Sequence, residues 1–265
     1  MAIITGHHPL AFAFGLLGNI VSFMVYLAPL PTFYRVYKKK STEAFQSIPY
    51  VVAHFSAMLW LYYAFLKPNE YMLITINSIG CTTEAIYIVI YLIYATKEAK
   101  IFTVKLLLLF NVGMFGSILT FTIIFAHGSL RIAIVGWICA GFSVSVFAAP
   151  LSVMRLVIRT KSVEFMPFSL SFFLTLCAVM WFFYGLLVKD FYIALPNVLG
   201  FTFGIVQMIL YMIYKDTKKG LVLELKLQEL DPNTYPSEDQ GKPIEIDTEQ
   251  GIQEKSTERE SMNKR

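Results

Sequence analysis

The hydrophobic positions of this chain fall into long runs rather than into stripes. Apolar stretches cover roughly residues 11–34, 48–66, 71–95, 101–126, 132–158, 165–188 and 191–214. Each is close to the ~20 residues that an α-helix needs to cross the hydrocarbon core of a bilayer. The polar gaps between them are too short to hold folded domains. Seven membrane-spanning helices are therefore predicted. Prolines interrupt the pattern where a helix should be running. "YLAPLPTFYRVYKKKSTEAF" begins at Tyr26 and "FAAPLSVMRLVIRTKSVEF" at Phe147. In both, a proline follows an apolar run and precedes basic residues and a Ser-x-Glu triplet.

That signal is one part of a longer repeat. At an offset of 121, Gly15 meets Gly136, Ser22 meets Ser143, and Ala28-Pro29-Leu30 meets Ala149-Pro150-Leu151. Lys40, Ser41, Glu43, Trp60 and Tyr63 likewise meet Lys161, Ser162, Glu164, Trp181 and Tyr184. After a one-residue slip, Asn77-x-x-Gly80 meets Asn197-x-x-Gly200, and "YLIY" at 91–94 meets "YMIY" at 211–214. Spans 1–3 and 5–7 are thus two copies of one three-helix unit. Span 4 restores the starting side, so both copies enter the membrane in the same direction. The expected fold is all-α: two parallel three-helix repeats joined by a linker helix. The expected divisions are 1–97, 98–131, 132–214 and a disordered tail, 215–265.

Composition and charge sharpen this picture. The chain is 56% hydrophobic and only 15% charged, too apolar for an ordinary soluble domain. More than half of its charged residues lie in the tail, which the composition predicts to be disordered. Arg35, Lys38, Lys39, Lys40, Lys97, Lys100, Lys105, Arg155, Arg159, Lys161, Lys215, Lys218 and Lys219 share one side; Lys67, Arg131 and Lys189 share the other. The excess places the first group in the cytosol and the N-terminus outside. Residues 1–10 lack the basic start and cleavage site of a signal peptide. Cys81, Cys139 and Cys177 all lie within spans, with no metal or disulfide spacing, and read as packing residues. Neither metal nor cofactor is expected.

Candidate chemistry comes from matched positions. Trp60 and Asn77 both lie about six residues, roughly 9 Å, from the outer end of their spans. Trp181 and Asn197 repeat the arrangement. An indole offers a flat apolar surface, and an amide both donates and accepts, which suits the two faces of a sugar. One such residue alone would read as structural; four in matched pairs outline a pocket. Ser22, Ser56, Ser143 and Cys177 are small residues near the same level, and Val25 and Val146 are aligned border positions. Cys177 aligns with Ser56, a thiol in place of a hydroxyl. Pro29, Pro49, Pro150 and Pro167 fall near the cytosolic ends of spans, where missing backbone bonds would bend the helices into a hinged constriction.

These stretches, with "TINSIGC", "KSVEFMPFSLS" and "PNVLGF", resemble the SWEET sugar transporters over residues 11–219. The similarity is to the plant members, and within them to the group associated with sucrose export. The resemblance implies a plasma-membrane protein moving mono- or disaccharides in either direction without a driving ion. It implies that Trp60, Asn77, Trp181 and Asn197 contact the sugar and that the four prolines form a cytosolic gate. Tyr63, Tyr184 and Asp190 resemble the outer gate, where a tyrosine hydroxyl meets a carboxylate. The implied partners are a sugar, membrane lipid and further copies of the chain, with no nucleic acid.

Three other readings make different demands on the sequence. A seven-helix receptor would carry no parallel repeat and usually an outer cysteine pair. A membrane enzyme would need clustered His, Cys or carboxylates in its spans. A proton-coupled carrier would use Glu84 or His54, the deep titratable groups, but neither has a counterpart in the other repeat. Uniport is the favoured mechanism.

Overall fold

Lipid tails are as apolar as leucine, so spans in a bilayer cohere through close packing and interhelical hydrogen bonds. The computed structural model describes residues 9–43, 45–163, 166 and 168–215. Span 1 consists of α1 (Pro9–Leu27) and α2 (Leu30–Lys39). Spans 2 and 3 are α3 (Ile48–Leu66) and α4 (Tyr71–Tyr94). Span 4 joins α5 (Lys97–Leu107), a π-helical stretch (Leu108–Met114) and α6 (Phe115–Phe125). Span 5 is α7 (Gly128–Val146) with α8 (Ala148–Thr160). Spans 6 and 7 are α9 (Phe168–Leu187) and α10 (Phe191–Tyr214). All seven are long and apolar enough to cross a membrane, and the first and fifth run further than their apolar stretches, to Lys39 and Thr160. Pro9 and residues 67–70 and 188–190 lie at what is called here the upper end; Lys40, Ala95 and Lys161 lie at the lower end.

Prolines explain the two divided spans. Pro29 has no N–H to offer the Val25 carbonyl, and the Ala28 N–H takes that carbonyl over at 3.1 Å in a tightened turn. In span 5 the break comes at Phe147, three residues ahead of Pro150, with the Phe147 N–H on the Val144 carbonyl at 3.1 Å. Pro49 behaves differently. It occupies the first turn of α3, where its missing N–H would be unpaired anyway, so the bend expected inside span 2 is not found. Pro167 and residues 216–265 of the tail lie outside the described residues.

The packing order is the same in both repeats. α4 lies against both α1 and α3, and α10 against both α7 and α9. The repeats meet through α1 on α9 and α3 on α7, the corresponding elements exchanged. Backbone turns are also repeated. Lys40 and Lys161 close α2 and α8 at φ 55° and 50°, and Asn69 and Lys189 turn the upper hairpins at φ 65° and 57°. Span 4 stands apart. Only 6% of its apolar window is buried within the protein, against 22–39% for the other spans, so most of its surface is left uncovered by the rest of the chain. It is held to α3 by polar contacts: His54 Nδ1 with Asn111 Oδ1 at 3.1 Å, and Tyr62 Oη with Thr122 Oγ1 at 2.8 Å. Arg131 also donates to Tyr62 Oη, at 2.8 Å from Nε and 2.6 Å from Nη2.

The main core sits in the upper half, where Phe55, Leu59, Tyr63, Leu73, Val135, Cys139, Tyr184 and Ile193 pack across the repeat interface. Two smaller clusters occupy equivalent lower positions. One is aromatic, around Phe33, Tyr87 and Tyr91; the other is built on Met154, Val157 and Met166.

Candidate functional site

Beneath that core the repeat interface leaves a cavity of about 200 Å³. Its walls are six repeat-related pairs: Ser22 and Ser143, Tyr26 and Phe147, Trp60 and Trp181, Leu73 and Ile193, Ile76 and Pro196, Asn77 and Asn197. Each repeat thus supplies half of one site. The tryptophans bind the halves together. Trp60 Nε1 donates to Ser143 Oγ at 3.1 Å, and Trp181 Nε1 donates to Ser22 Oγ at 3.0 Å, so each indole crosses to the other repeat. Both indoles line the cavity. Each asparagine spends one amide proton on its own helix: Asn77 Nδ2 on the Leu73 carbonyl at 2.8 Å, Asn197 Nδ2 on that of Ile193 at 2.7 Å. Neither Oδ1 is engaged by a described residue. The cavity is thus lined by two amides and two indoles, one of each from either repeat.

Above the cavity the upper end is shut by a second crossed arrangement. Tyr63 Oη donates to Asp190 Oδ2 at 2.7 Å, and Tyr184 Oη donates to Glu70 Oε2 at 2.8 Å. Both carboxylates are buried. Lys67 joins them, 3.0 Å from Glu70 Oε1 and hydrogen-bonded to Asp190 Oδ2. Burial pushes the Lys67 ammonium down, but the Asp190 hydrogen bond and both carboxylate charges outweigh it and hold the group above its ordinary value. Asp190 also caps α10, its Oδ1 accepting from the Tyr192 and Ile193 N–H groups at 2.9 and 3.3 Å.

Known proteins share this architecture. The family described as sugar efflux transporters for intercellular exchange matches residues 12–99 and 133–219, the two repeats. Bidirectional sugar transporter SWEET13 of Oryza sativa subsp. japonica is 65% identical over 214 residues, covering 81% of this chain and 72% of its own. Bidirectional sugar transporter NEC1 of Petunia hybrida is 63% identical over 210 residues, 79% of each chain. A solved structure of a eukaryotic SWEET transporter superimposes with a TM-score of 0.74 at 36% identity, covering 78% of this chain and 97% of that one. This chain belongs to the SWEET family. It is a multi-pass membrane transporter, not an enzyme, and the receptor reading falls away.

Most of the residues singled out in this SWEET chain converge. Trp60, Asn77, Trp181, Asn197, Ser22 and Ser143 line the cavity. Cys177 stands behind its wall with Sγ 3.0 Å from Ser22 Oγ, while Ser56, Val25 and Val146 are not among the lining residues. Tyr63, Tyr184 and Asp190 meet at the upper end. Pro29 and Pro150 mark the lower breaks, and Pro49 the start of α3. Sequence reasoning missed Tyr26 and Phe147, and it missed Glu70 and Lys67. Glu70 had a signal: at the slipped offset of 120 it is the counterpart of Asp190. Glu84 and His54 do not line the cavity.

Proposed function

We propose that this chain carries mono- and disaccharides, sucrose among them, down their gradient in either direction across the plasma membrane. The cavity is exposed alternately to the two sides. The crossed Trp–Ser hydrogen bonds carry this reading, because they make one aromatic-walled site out of both repeats. In it, Trp60 and Trp181 stack on the sugar and Asn77 and Asn197 accept its hydroxyls, with Ser22 and Ser143 beside them and Ser56 and Cys177 behind. The names of the two curated relatives, both bidirectional sugar transporters, support the substrate class.

Tyr63, Tyr184 and Asp190, with Glu70 and Lys67, serve as the outer gate. Pro29, Pro49, Pro150 and Pro167 serve as the cytosolic one. The moving bodies are 1–97 and 132–214, with 98–131 as linker; the family match to two separate stretches supports that division. The excess of basic residues supports an N-terminus outside and a tail, 215–265, in the cytosol. The largely exposed span 4 supports association with further copies, which crosslinking in native membranes would read as oligomer bands.

Transport is uniport. Flux of radiolabelled sugar into liposomes or cells lacking endogenous carriers should follow the gradient both ways and be unchanged by a proton uncoupler. Accumulation above the external concentration, abolished by the uncoupler, would replace this reading with coupling through Glu84 or His54.

A further inference from the structure

Two aromatic plates form the lower floor of the cavity, each seated on a glycine of the third span in its repeat. A Cβ placed on Gly80 would lie 2.5 Å from Tyr26 Oη, and one on Gly200 would lie 3.4 Å from Phe147 Cζ. Tyr26 is held there by its own carbonyl, which accepts from Tyr87 Oη at 2.8 Å. It stands just above the break at Ala28 and Pro29.

Below this floor the two repeats differ. Glu84 lies seven residues past Asn77 on the same buried face of α4, about 10 Å further down. It is 5% exposed, and among the described residues it forms no ion pair and its Oε2 has no hydrogen-bond partner. The corresponding positions of the second repeat, Phe203 and Gly204, carry no polar side chain. A buried carboxylate oxygen without a donor is rare in a native protein and asks for a partner that arrives from elsewhere. Sugar hydroxyls are such donors. The cavity itself, about 200 Å³, is smaller than the roughly 300–1,000 Å³ of ordinary small-molecule sites. Its upper side is closed by Tyr63 and Tyr184, so a two-ring ligand extends downward.

We propose that Glu84 is a second acceptor for sugar hydroxyls, uncovered when Tyr26 leaves Gly80, and that it holds the lower ring of a disaccharide. The polar step lies on one wall only. In the second repeat the corresponding step is apolar, with the Phe147 and Phe203 ring centroids 5.2 Å apart. A sugar ring passing the floor thus meets an acceptor on its hydroxyl edge and aromatic carbon on its flat face. Glu84 becomes a determinant of disaccharide against monosaccharide transport, an inference that rests on the sugar-carrier reading above.

The test is the ratio of sucrose to glucose flux in liposomes containing the full chain. A ratio cancels differences in the amount of folded protein between variants. Glu84→Met keeps length and removes the acceptor; Glu84→Ala removes both and serves if the first fails to insert; Glu84→Gln returns an acceptor. The ratio should fall about tenfold in Glu84→Met and Glu84→Ala, the effect of one lost hydrogen bond to a buried partner. It should recover most of the way in Glu84→Gln. An unmoved ratio in the first two, or a Glu84→Gln ratio as low as theirs, overturns the inference. So does a wild-type protein that carries glucose but not sucrose. A wild-type protein that carries neither sugar overturns the functional reading itself.

Discussion

Asn77 and Asn197 each hold one bond to their own helix and leave one oxygen toward the cavity. Removing that oxygen should cost binding without costing the fold. Each Asn→Ala change should weaken sugar binding about ten- to hundredfold, the range for a lost bond at a buried partner. On the proposed binding of one ligand by both oxygens, the double variant should lose less than the sum of the two. Calorimetric titration beside a melting curve checks this; normal binding in either single variant would assign that Asn to helix packing. Glu70 gives a contrasting case, where stability is at stake. Glu70→Ala strands the buried Tyr184 hydroxyl and removes one partner of Lys67. About 1–3 kcal/mol of stability should be lost, seen as a lower melting temperature in detergent. An unchanged melting temperature would deny the network its role. Lys67 sets the pH behaviour of the same cluster. Its folded value is raised, so its contribution is complete at neutral pH and lost only as pH climbs through that value, above the ordinary lysine range of about 10.4. Melting curves between pH 7 and 11 should fall away only at the alkaline end on its account.

Helices in this chain are shaped by where backbone donors are missing and where side chains are absent. Pro29 and Pro150 accompany real breaks, whereas Pro49 costs its helix nothing. Pro29→Ala and Pro150→Ala should therefore reduce transport severalfold at unchanged surface amounts. Pro49→Ala should have the smallest effect of the three. Equal flux in all three and in wild type would remove hinging at these breaks. The α9–α10 hairpin is controlled by Gly185 instead. A Cβ there would lie 2.7 Å from the Ala194 backbone nitrogen, and backbone cannot rotate away. The equivalent position in the first repeat is Ala64, which is fully buried and fits. Gly185→Ala should destabilise the protein by about 1–3 kcal/mol, the usual cost of overpacking. A melting temperature equal to wild type would show that the hairpin can open slightly.

At the scale of the molecule, two copies of one unit meet so that two sets of contacts are made twice and crossed. The Trp–Ser bonds and the Tyr–carboxylate bonds both join the repeats, one pair around the cavity and the other above it. Opening the upper end must break Tyr63–Asp190 and Tyr184–Glu70 and separate Lys67 from at least one carboxylate.

Spans, repeat and pairing of Trp60 with Trp181 and Asn77 with Asn197 were legible in the residues alone. A bilayer demands continuous apolar runs, and duplication keeps unusual residues in order. The outer carboxylate of the first repeat was also present in principle, since Glu70 and Asp190 share a register. The rest required three dimensions. Which Ser receives which indole, that Tyr26 and Phe147 floor the cavity, and that Cys177 stands behind its wall all depend on how α1 meets α9 and α3 meets α7. Periodicity places a side chain on a face of its own helix but not opposite a face of another. The prolines make the same point locally: their positions were plain, yet only the backbone shows that Pro49 begins a helix while Pro29 and Pro150 accompany breaks, because the effect of a missing N–H depends on whether a carbonyl was waiting for it.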